Sequence, residues 1–263
     1  MEAIYQRPRD YDLEHEGDDE DVEFYTGLLA RWRPRRVLEL ASGSGRIAVP
    51  LAMAPGDSQI VGLERPGPML EEARRKHQTL TADARSRLSF LEADMRDWHS
   101  EELFDLIIAP CSSLSHLLEL DDQIDAWRCA ARNLVPGGRF VADLTMPNLP
   151  LYADSMQAPP RAFLEIDVDA VDRETGTRLL RYKTTQYKPH TQRAEVRFVY
   201  DRFPEGQRPD RYVSDFDCHV YYPREVELLF RITGFAVEAW FGDYSARRFR
   251  ATSRQMIAVG RRA

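Results

Sequence analysis

Glu39 and Glu64 are acidic residues placed where they could do chemistry, and Gly43 and Gly45 lie between them. The stretch Arg36-Val37-Leu38-Glu39-Leu40-Ala41-Ser42-Gly43-Ser44-Gly45-Arg46-Ile47-Ala48 is an apolar run, a glycine-rich turn and the start of a helical pattern. Glycine lacks Cβ, so such a turn tolerates unusual dihedrals and lets a ligand approach the backbone. The helix start behind the turn offers unpaired N–H groups. Glu64 closes a second apolar run, Gln59-Ile60-Val61-Gly62-Leu63. An acidic residue at the end of a second strand is placed to accept from a ribose diol. Together these features predict a nucleoside-containing cofactor.

Two cofactor classes fit the turn. Gly43-x-Gly45-x-x-Ala48 satisfies the dinucleotide fingerprint in its permissive form. Glu39 separates the classes. Its carboxylate sits at the strand end under the turn, where a pyrophosphate would be repelled. A sulfonium with an attached amino group would be attracted. The plain alternative is an ordinary buried turn with Glu39 exposed.

These residues need a scaffold of alternating strands and helices. Strands are expected at Arg36–Leu40, at Gln59–Glu64, at Leu88–Glu92, at Phe104–Ala109 and at Arg139–Leu144. Helices are expected at Val22–Trp32, from the glycine turn to Ala54, after Pro66 and Pro68, and at Asp121–Leu134. Residues 1–20 read as irregular, and the acidic run from Glu14 to Glu23 reads as a solvated helix start. Pro136-Gly137-Gly138 reads as a turn, and residues 147–160 as a connection. From Arg161 to Tyr222 the period changes to alternation, as in Val196, Phe198 and Tyr200. About four antiparallel strands are expected there, packed beside the cofactor cleft as a lid or substrate platform. The row Asp215, Asp217 and His219 reads as a solvated strand face or as a pocket lining. A helix over Pro223–Thr233 and strands at Phe235–Phe241 and Ala251–Gly260 complete the chain.

Several segments resemble class I S-adenosylmethionine-dependent methyltransferases of small-molecule type. Glu39-Leu40-Ala41-Ser42-Gly43-Ser44-Gly45 resembles their first motif, with Ala41 where glycine is usual. Tyr11-Asp12-Leu13-Glu14-His15-Glu16-Gly17 resembles the tyrosine-containing segment that folds over the cofactor as a cap. Ala93-Asp94-Met95 falls where that family places an acceptor for the adenine amino group and a neighbour packed on the ring. Ser112-Ser113-Leu114-Ser115-His116 resembles the loop of bacterial amino-sugar N-methyltransferases whose histidine faces the substrate.

The resemblance implies a Rossmann-like α/β fold: a seven-stranded methyltransferase sheet with an inserted antiparallel β subdomain. Residues 1–146 would form the cap and cofactor-binding core, 161–222 the insertion, and 223–263 the rest of the core. It implies S-adenosylmethionine as cofactor, held by Tyr11, Glu39, Ala41, Ser42, Gly43, Gly45, Glu64, Arg65, Met69, Asp94, Met95, Ala109 and Pro110. Core packing is an equal reading of Met69. His116 is the candidate catalytic base, because an imidazole titrates near physiological pH. A histidine hydrogen-bonded inside its own loop is the other reading.

Composition bounds the rest. The chain has 263 residues, 43% of them hydrophobic, which suits one α/β domain with an insertion. A formal net charge of -7 argues against a nucleic-acid groove. The best basic cluster, Arg247, Arg248 and Arg250, reads as a solvated loop. Cys111, Cys129 and Cys218 show no C-x-x-C spacing, so neither a disulfide scaffold nor a metal site is expected. No signal sequence or membrane-spanning run is apparent, so the chain reads as soluble and cytoplasmic. A small-molecule substrate is expected, without nucleic acid or membrane, and a homodimer is one assembly open to it. Three functional classes remain: a small-molecule methyltransferase acting on an amine or hydroxyl, a nicotinamide-dependent oxidoreductase, and a catalytically silent cofactor-binding or interaction protein.

Overall fold

The computed structural model describes residues 2–157 and 164–263. Pro159, Pro160 and the expected start of the insertion at Arg161 lie outside the described residues. The helices are α1 (Pro8–Glu14), α2 (Glu20–Trp32), α3 (Ala48–Met53), α4 (Pro68–Gln78), α5 (Ala82–Arg87), α6 (Leu120–Asn133), α7 (Leu149–Ser155) and α8 (Pro223–Ile232). The strands are β1 (Arg36–Leu40), β2 (Gln59–Glu64), β3 (Leu88–Glu92), β4 (Phe104–Ala109), β5 (Leu134–Thr145), β6 (Glu165–Val171), β7 (Arg178–Lys188), β8 (Arg193–Phe203), β9 (Asp210–His219), β10 (Phe235–Phe241) and β11 (Gln255–Arg262). Short 3-10 turns stand at Ala3–Gln6 and Ser113–His116.

The chain divides into two compact units, Asp19–Met146 with Tyr221–Ala263, and Met1–Asp18 with Pro147–Val220. The first holds a seven-stranded sheet of order β10-β11-β5-β4-β1-β2-β3. Strands β5, β4, β1, β2 and β3 run parallel, and β11 is antiparallel to β5 and β10. Strands buried on both faces read as near-continuous apolar runs. Val37 and Leu38 are both fully buried, yet they enter opposite cores. Leu38 joins Trp127 of α6 and Phe230 of α8, while Val37 joins Leu28 of α2 and Leu51 of α3. This is the Rossmann-like seven-stranded arrangement expected from the sequence.

Pro136-Gly137-Gly138 is where expectation and structure differ. The strand begins before it, at Leu134, and the pairing with β4 jumps from Phe104↔Leu134 to Leu106↔Arg139. The tripeptide is thus an irregularity within β5. Gly137 takes φ 77, and a Cβ on Gly138 would lie 2.9 Å from the Val135 carbonyl oxygen.

The second unit holds an antiparallel sheet of order β6-β7-β8-β9, matching the expected four strands. The stretch expected to be irregular is largely helical over residues 3–14: the Ala3–Gln6 turn and α1 belong to this unit rather than to the parallel sheet. Ile4 is buried against Leu179 and Tyr200, which draws the segment onto the strands. Tyr200 and Tyr212 stack with centroids 4.6 Å apart, and their hydroxyls donate to Glu14 and Asp10. Part of residues 147–160 is α7, capped by Asn148, whose side chain accepts from the Leu151 N–H at 3.2 Å. Asp215 makes a bidentate pair with Arg197, while His219 is buried, so the row expected as a solvated face or a pocket lining is mixed in its exposure.

Candidate functional site

The sheet order reverses beside β1, because β2 and β3 lie on one side and β4 and β5 on the other. Open α/β sheets bind ligands at the carboxyl ends of strands at such a point. Glu39 stands there, in register with Gly62 of β2 and Ile108 of β4. It is 2% exposed, which removes the reading of a solvated side chain. The Ala48 N–H donates to its carboxylate, and its Oε2 has no hydrogen-bond partner among the described residues. Burial pushes its carboxyl up to about 8; Arg46 pulls it down, and Glu64 and Asp21 push it further up.

The turn that follows is left-handed at three positions, with φ of 53 at Ala41, 56 at Gly43 and 78 at Gly45. Its Ser42, Gly43 and Gly45 donors are taken by protein acceptors. Ser42 N–H donates to Leu63 O at 2.9 Å and Gly45 N–H to Ser42 O at 2.9 Å. Gly43 N–H donates to Glu64 Oε2 at 2.8 Å, and Arg65 N–H to Glu64 Oε1 at 2.9 Å. Glu64 therefore braces the turn, a role the sequence did not reveal. Burial raises its carboxyl above the usual range, against these two bonds. Each Glu64 oxygen retains a second lone pair for a ligand hydroxyl. The expected helix-terminal donors are already taken: the Ala48 N–H donates to Glu39, the Val49 N–H to Gly45 O at 3.0 Å, and Pro50 has no N–H.

Close approach explains two glycines. A Cβ on Gly62 would sit 2.7 Å from Phe90 Cδ1 and from Ser42 Oγ, and one on Gly43 would sit 3.2 Å from Met69 Cε. Met69 is thus buried and also lies against the turn. Ala41 occupies a position suited to glycine. A left-handed L-residue costs roughly 1–2 kcal/mol, and glycine's extra unfolded-state freedom offsets about 0.4–1 kcal/mol of that. Ala41→Gly is therefore expected to stabilise the fold by about 0.5–1 kcal/mol in urea denaturation. A loss of stability would contradict this strain argument.

Asp94 follows β3 and carries a partner the sequence reading missed. Arg96 donates to it through Nε at 2.9 Å and Nη2 at 2.7 Å, and also pairs with Asp122 at 3.0 Å. The bonds from Arg96 hold the Asp94 carboxyl below its usual range. Met95 packs on the core edge, and Arg65 lies close enough to act on both Glu64 and Asp94. Ala109 is fully buried at the end of β4, and Pro110 O accepts from Ser113 N–H at 3.1 Å.

His116 ends the 3-10 turn Ser113–His116 beyond β4. The turn is anchored by buried Leu114, whose carbonyl accepts from the Tyr221 hydroxyl at 3.2 Å, and by Leu117. Tyr11 lies in α1, in the other unit, with its ring 4.6 Å from that of His15. The acidic run is not simply solvated: Asp21 is buried against Arg46, and Glu14 pairs with Arg181 at 2.8 Å. Burial works against the Asp21 carboxylate, yet the Arg46 and Cys111 bonds leave it below the usual range.

Glu39, Glu64, Arg65, Asp94 and the turn thus gather at the ends of β1, β2 and β3. Their donor and acceptor set suits a ligand with a cationic end, a diol and an exocyclic amine. It does not suit a pyrophosphate, since the Gly43 donor is already bound to a carboxylate. Among the described residues no group of three or more His, Cys, Asp or Glu side chains could hold a metal ion. No described helix is long and apolar enough to cross a membrane.

Residues 37–138 match the family model described as a methyltransferase domain. The tRNA1(Val) (adenine(37)-N6)-methyltransferase of Glaesserella parasuis is 32% identical over 84 residues, 32% of this chain and 35% of that protein. The chain thus spans about a third of that relative's length. The cypemycin N-terminal methyltransferase of a Streptomyces species is 24% identical over 86% of this chain and 82% of its own. Among solved structures, S-adenosylmethionine-bound CalS10, an amino pentose methyltransferase from Micromonospora echinaspora, superposes with a TM-score of 0.68 at 18% identity. That match covers 94% of this chain and 91% of the other, and it shows a shared fold.

Proposed function

We propose, from the premise that this chain carries a methyltransferase domain over residues 37–138, that it moves a methyl group from S-adenosylmethionine to a small-molecule acceptor. The observation that carries this reading is Glu39, a buried carboxylate beneath the glycine turn with one oxygen left without a partner. A buried carboxylate is stabilised by a cation and destabilised by an anion. S-adenosylmethionine, when bound, supplies an activated methyl group on a sulfonium. The chain's own residues bind and orient. Glu39 faces the cationic methionine end, and Glu64 takes the ribose diol on its remaining lone pairs. Asp94 accepts from the adenine amino group, with Met95 and Met69 against the base and ribose. Ala41, Ser42, Gly43 and Gly45 line the approach, with Ala109 and Pro110 at the end of β4. Positioning of this kind can contribute about 7–11 kcal/mol to a transfer reaction.

His116 takes the proton from the acceptor where the acceptor is an ammonium or hydroxyl. An amine is the favoured acceptor, because one relative is named as an N-terminal methyltransferase of cypemycin and one neighbour as an amino pentose methyltransferase. The net charge of -7 supports a small molecule over a nucleic acid. The three cysteines are unpaired, in keeping with a cytoplasmic location, and a homodimer belongs to the same reading.

The test is calorimetric titration with S-adenosylmethionine, S-adenosylhomocysteine and NAD. The first two are expected to bind, and Glu64→Gln to weaken both by about 10-fold or more through loss of a charged acceptor. Tight NAD binding would overturn the assignment. Radiolabelled methyl transfer to amino sugars and to peptide N-termini then identifies the acceptor class.

A further inference from the structure

Asp143 is a charged residue in the middle of an otherwise apolar strand, Phe140-Val141-Ala142-Asp143-Leu144. It pairs with Ile257 of β11 and is 1% exposed. Its Oδ2 accepts from the Tyr25 hydroxyl at 3.0 Å, the Tyr244 hydroxyl at 3.0 Å and the Cys111 N–H at 3.3 Å. Its main-chain carbonyl accepts from the Ser112 N–H at 3.1 Å. Burying a carboxylate in a sheet is costly; three donors on Oδ2 offset part of that cost, while Oδ1 has no partner among the described residues. What the arrangement achieves is visible in the loop. Cys111 and Ser112 have φ of 54 and 55, two successive non-glycine residues in the left-handed region. Such strain persists only where the surroundings over-determine the backbone, and it gathers at functional sites. Both strained N–H groups end on Asp143. The Ser112 hydroxyl adds a second tie, accepting from the Thr145 N–H at 2.9 Å. The Ser113–His116 turn begins at the next residue.

We infer that Asp143, steadied by Tyr25 and Tyr244, is a positioning residue that holds the Cys111–Ser112 kink and thereby fixes where His116 stands for the acceptor. The inference rests on the proposed methyl transfer for its purpose, though not for its structural content. Asp143 itself touches neither cofactor nor acceptor in this account. Its two phenols come from distant parts of the chain, α2 and the β10–β11 connection. Loss of the clamp should therefore free the loop without dissolving the glycine turn, whose own bonds run to Glu64 and Leu63.

The test uses the full chain with S-adenosylhomocysteine and the variants Asp143→Asn and Tyr244→Phe. Amide hydrogen exchange at Cys111, whose N–H loses its charged acceptor, is expected to accelerate about 10-fold in Asp143→Asn, with a smaller rise at Ser112, whose main-chain acceptor remains, and a smaller rise at Cys111 in Tyr244→Phe. The His116 imidazole resonances should move in both variants, while signals from the Leu38–Ile107 core stay in place and ligand affinity is nearly unchanged. Unchanged exchange and unchanged His116 resonances would overturn the inference. Core signals shifting in parallel with His116 would also overturn it, since that pattern marks general destabilisation. Tyr244→Phe removes one donor and keeps its ring, so it reports even if Asp143→Asn fails to fold. If the wild-type chain binds no S-adenosylhomocysteine, the functional reading fails. The exchange measurement still decides the clamp.

Discussion

Glu39→Gln is expected to make the protein more stable at alkaline pH and to weaken S-adenosylmethionine binding by about 10²-fold, the scale of breaking a buried charge pair. The Glu39 carboxyl is pushed up to about 8, chiefly by burial. In an unfolded chain it titrates near ~4.3. Between those values the folded protein keeps a proton that the unfolded chain has lost. Stability from this group is therefore full below the unfolded value, declines as pH rises, and levels off above about 8. The loss by pH ~9 is on the order of 5 kcal/mol, and an amide does not suffer it. The unsatisfied amide N–H₂ takes back about 1–2 kcal/mol of the gain. The variant should thus exceed the wild type by about 3–4 kcal/mol at pH ~9 and by little at pH ~5. Asp143, pushed up to about 6, slopes the same way, so the comparison must be variant against wild type. A bound cation favours ionised Glu39, so cofactor binding near neutral pH should release up to one proton. Urea denaturation at both pH values, with calorimetry in two buffers of different ionisation enthalpy, checks both halves. Equal stability profiles, or tight cofactor binding by the variant, would defeat the account.

The central parallel strands β1 and β4 were readable because their burial is two-sided, and β3, only partly buried at the sheet edge, because its run is of strand length. Val37 to Leu40, Leu88 to Leu91 and Phe104 to Ala109 are apolar runs of strand length, and β1, β3 and β4 fall at the expected residues. Proline and glycine were less informative where the tertiary setting overrides local preference. Pro136-Gly137-Gly138 signals a turn, yet the strand carries it as an irregularity beside β4. The N-terminal segment was illegible for another reason. Its order comes from Ile4 against Leu179 and Tyr200, and from Glu14 with Arg181, contacts that no local pattern announces.

The site divides along the same line. Glu39, Gly43 and Glu64 sit on one strand–turn unit and the strand beside it, so sequence order alone brings them together. Asp94 was legible as the acidic residue after β3, but its Arg96 and Asp122 partners were not. Asp143 was the largest omission. A lone aspartate inside an apolar strand was the available signal, because a buried charge demands partners. Its partners could not have been named. Tyr25 lies 118 residues away and Tyr244 lies 101.

His116 carries the largest expected kinetic effect. In the proposed reaction it removes a proton from an ammonium or hydroxyl acceptor, and loss of a general base typically lowers turnover by about 10²–10⁴-fold. The turn has anchors besides the imidazole. Leu114 is fully buried, Leu117 nearly so, and Tyr221 holds the Leu114 carbonyl from outside the turn. His116→Ala is therefore expected to depress single-turnover methyl transfer while S-adenosylhomocysteine affinity stays close to wild type. His116→Asn should be as slow, since an amide can hydrogen-bond but cannot accept the proton at neutral pH. The effect should also depend on the acceptor: large for a hydroxyl or an ammonium, and small for an amine that arrives neutral, where proximity suffices. Paired measurement of cofactor affinity and single turnover on both variants, with acceptors of each kind, decides the matter. Full turnover by either variant on a hydroxyl acceptor would rule out the base. Joint loss of stability and cofactor affinity in the alanine variant, restored by asparagine, would make His116 a brace for its loop.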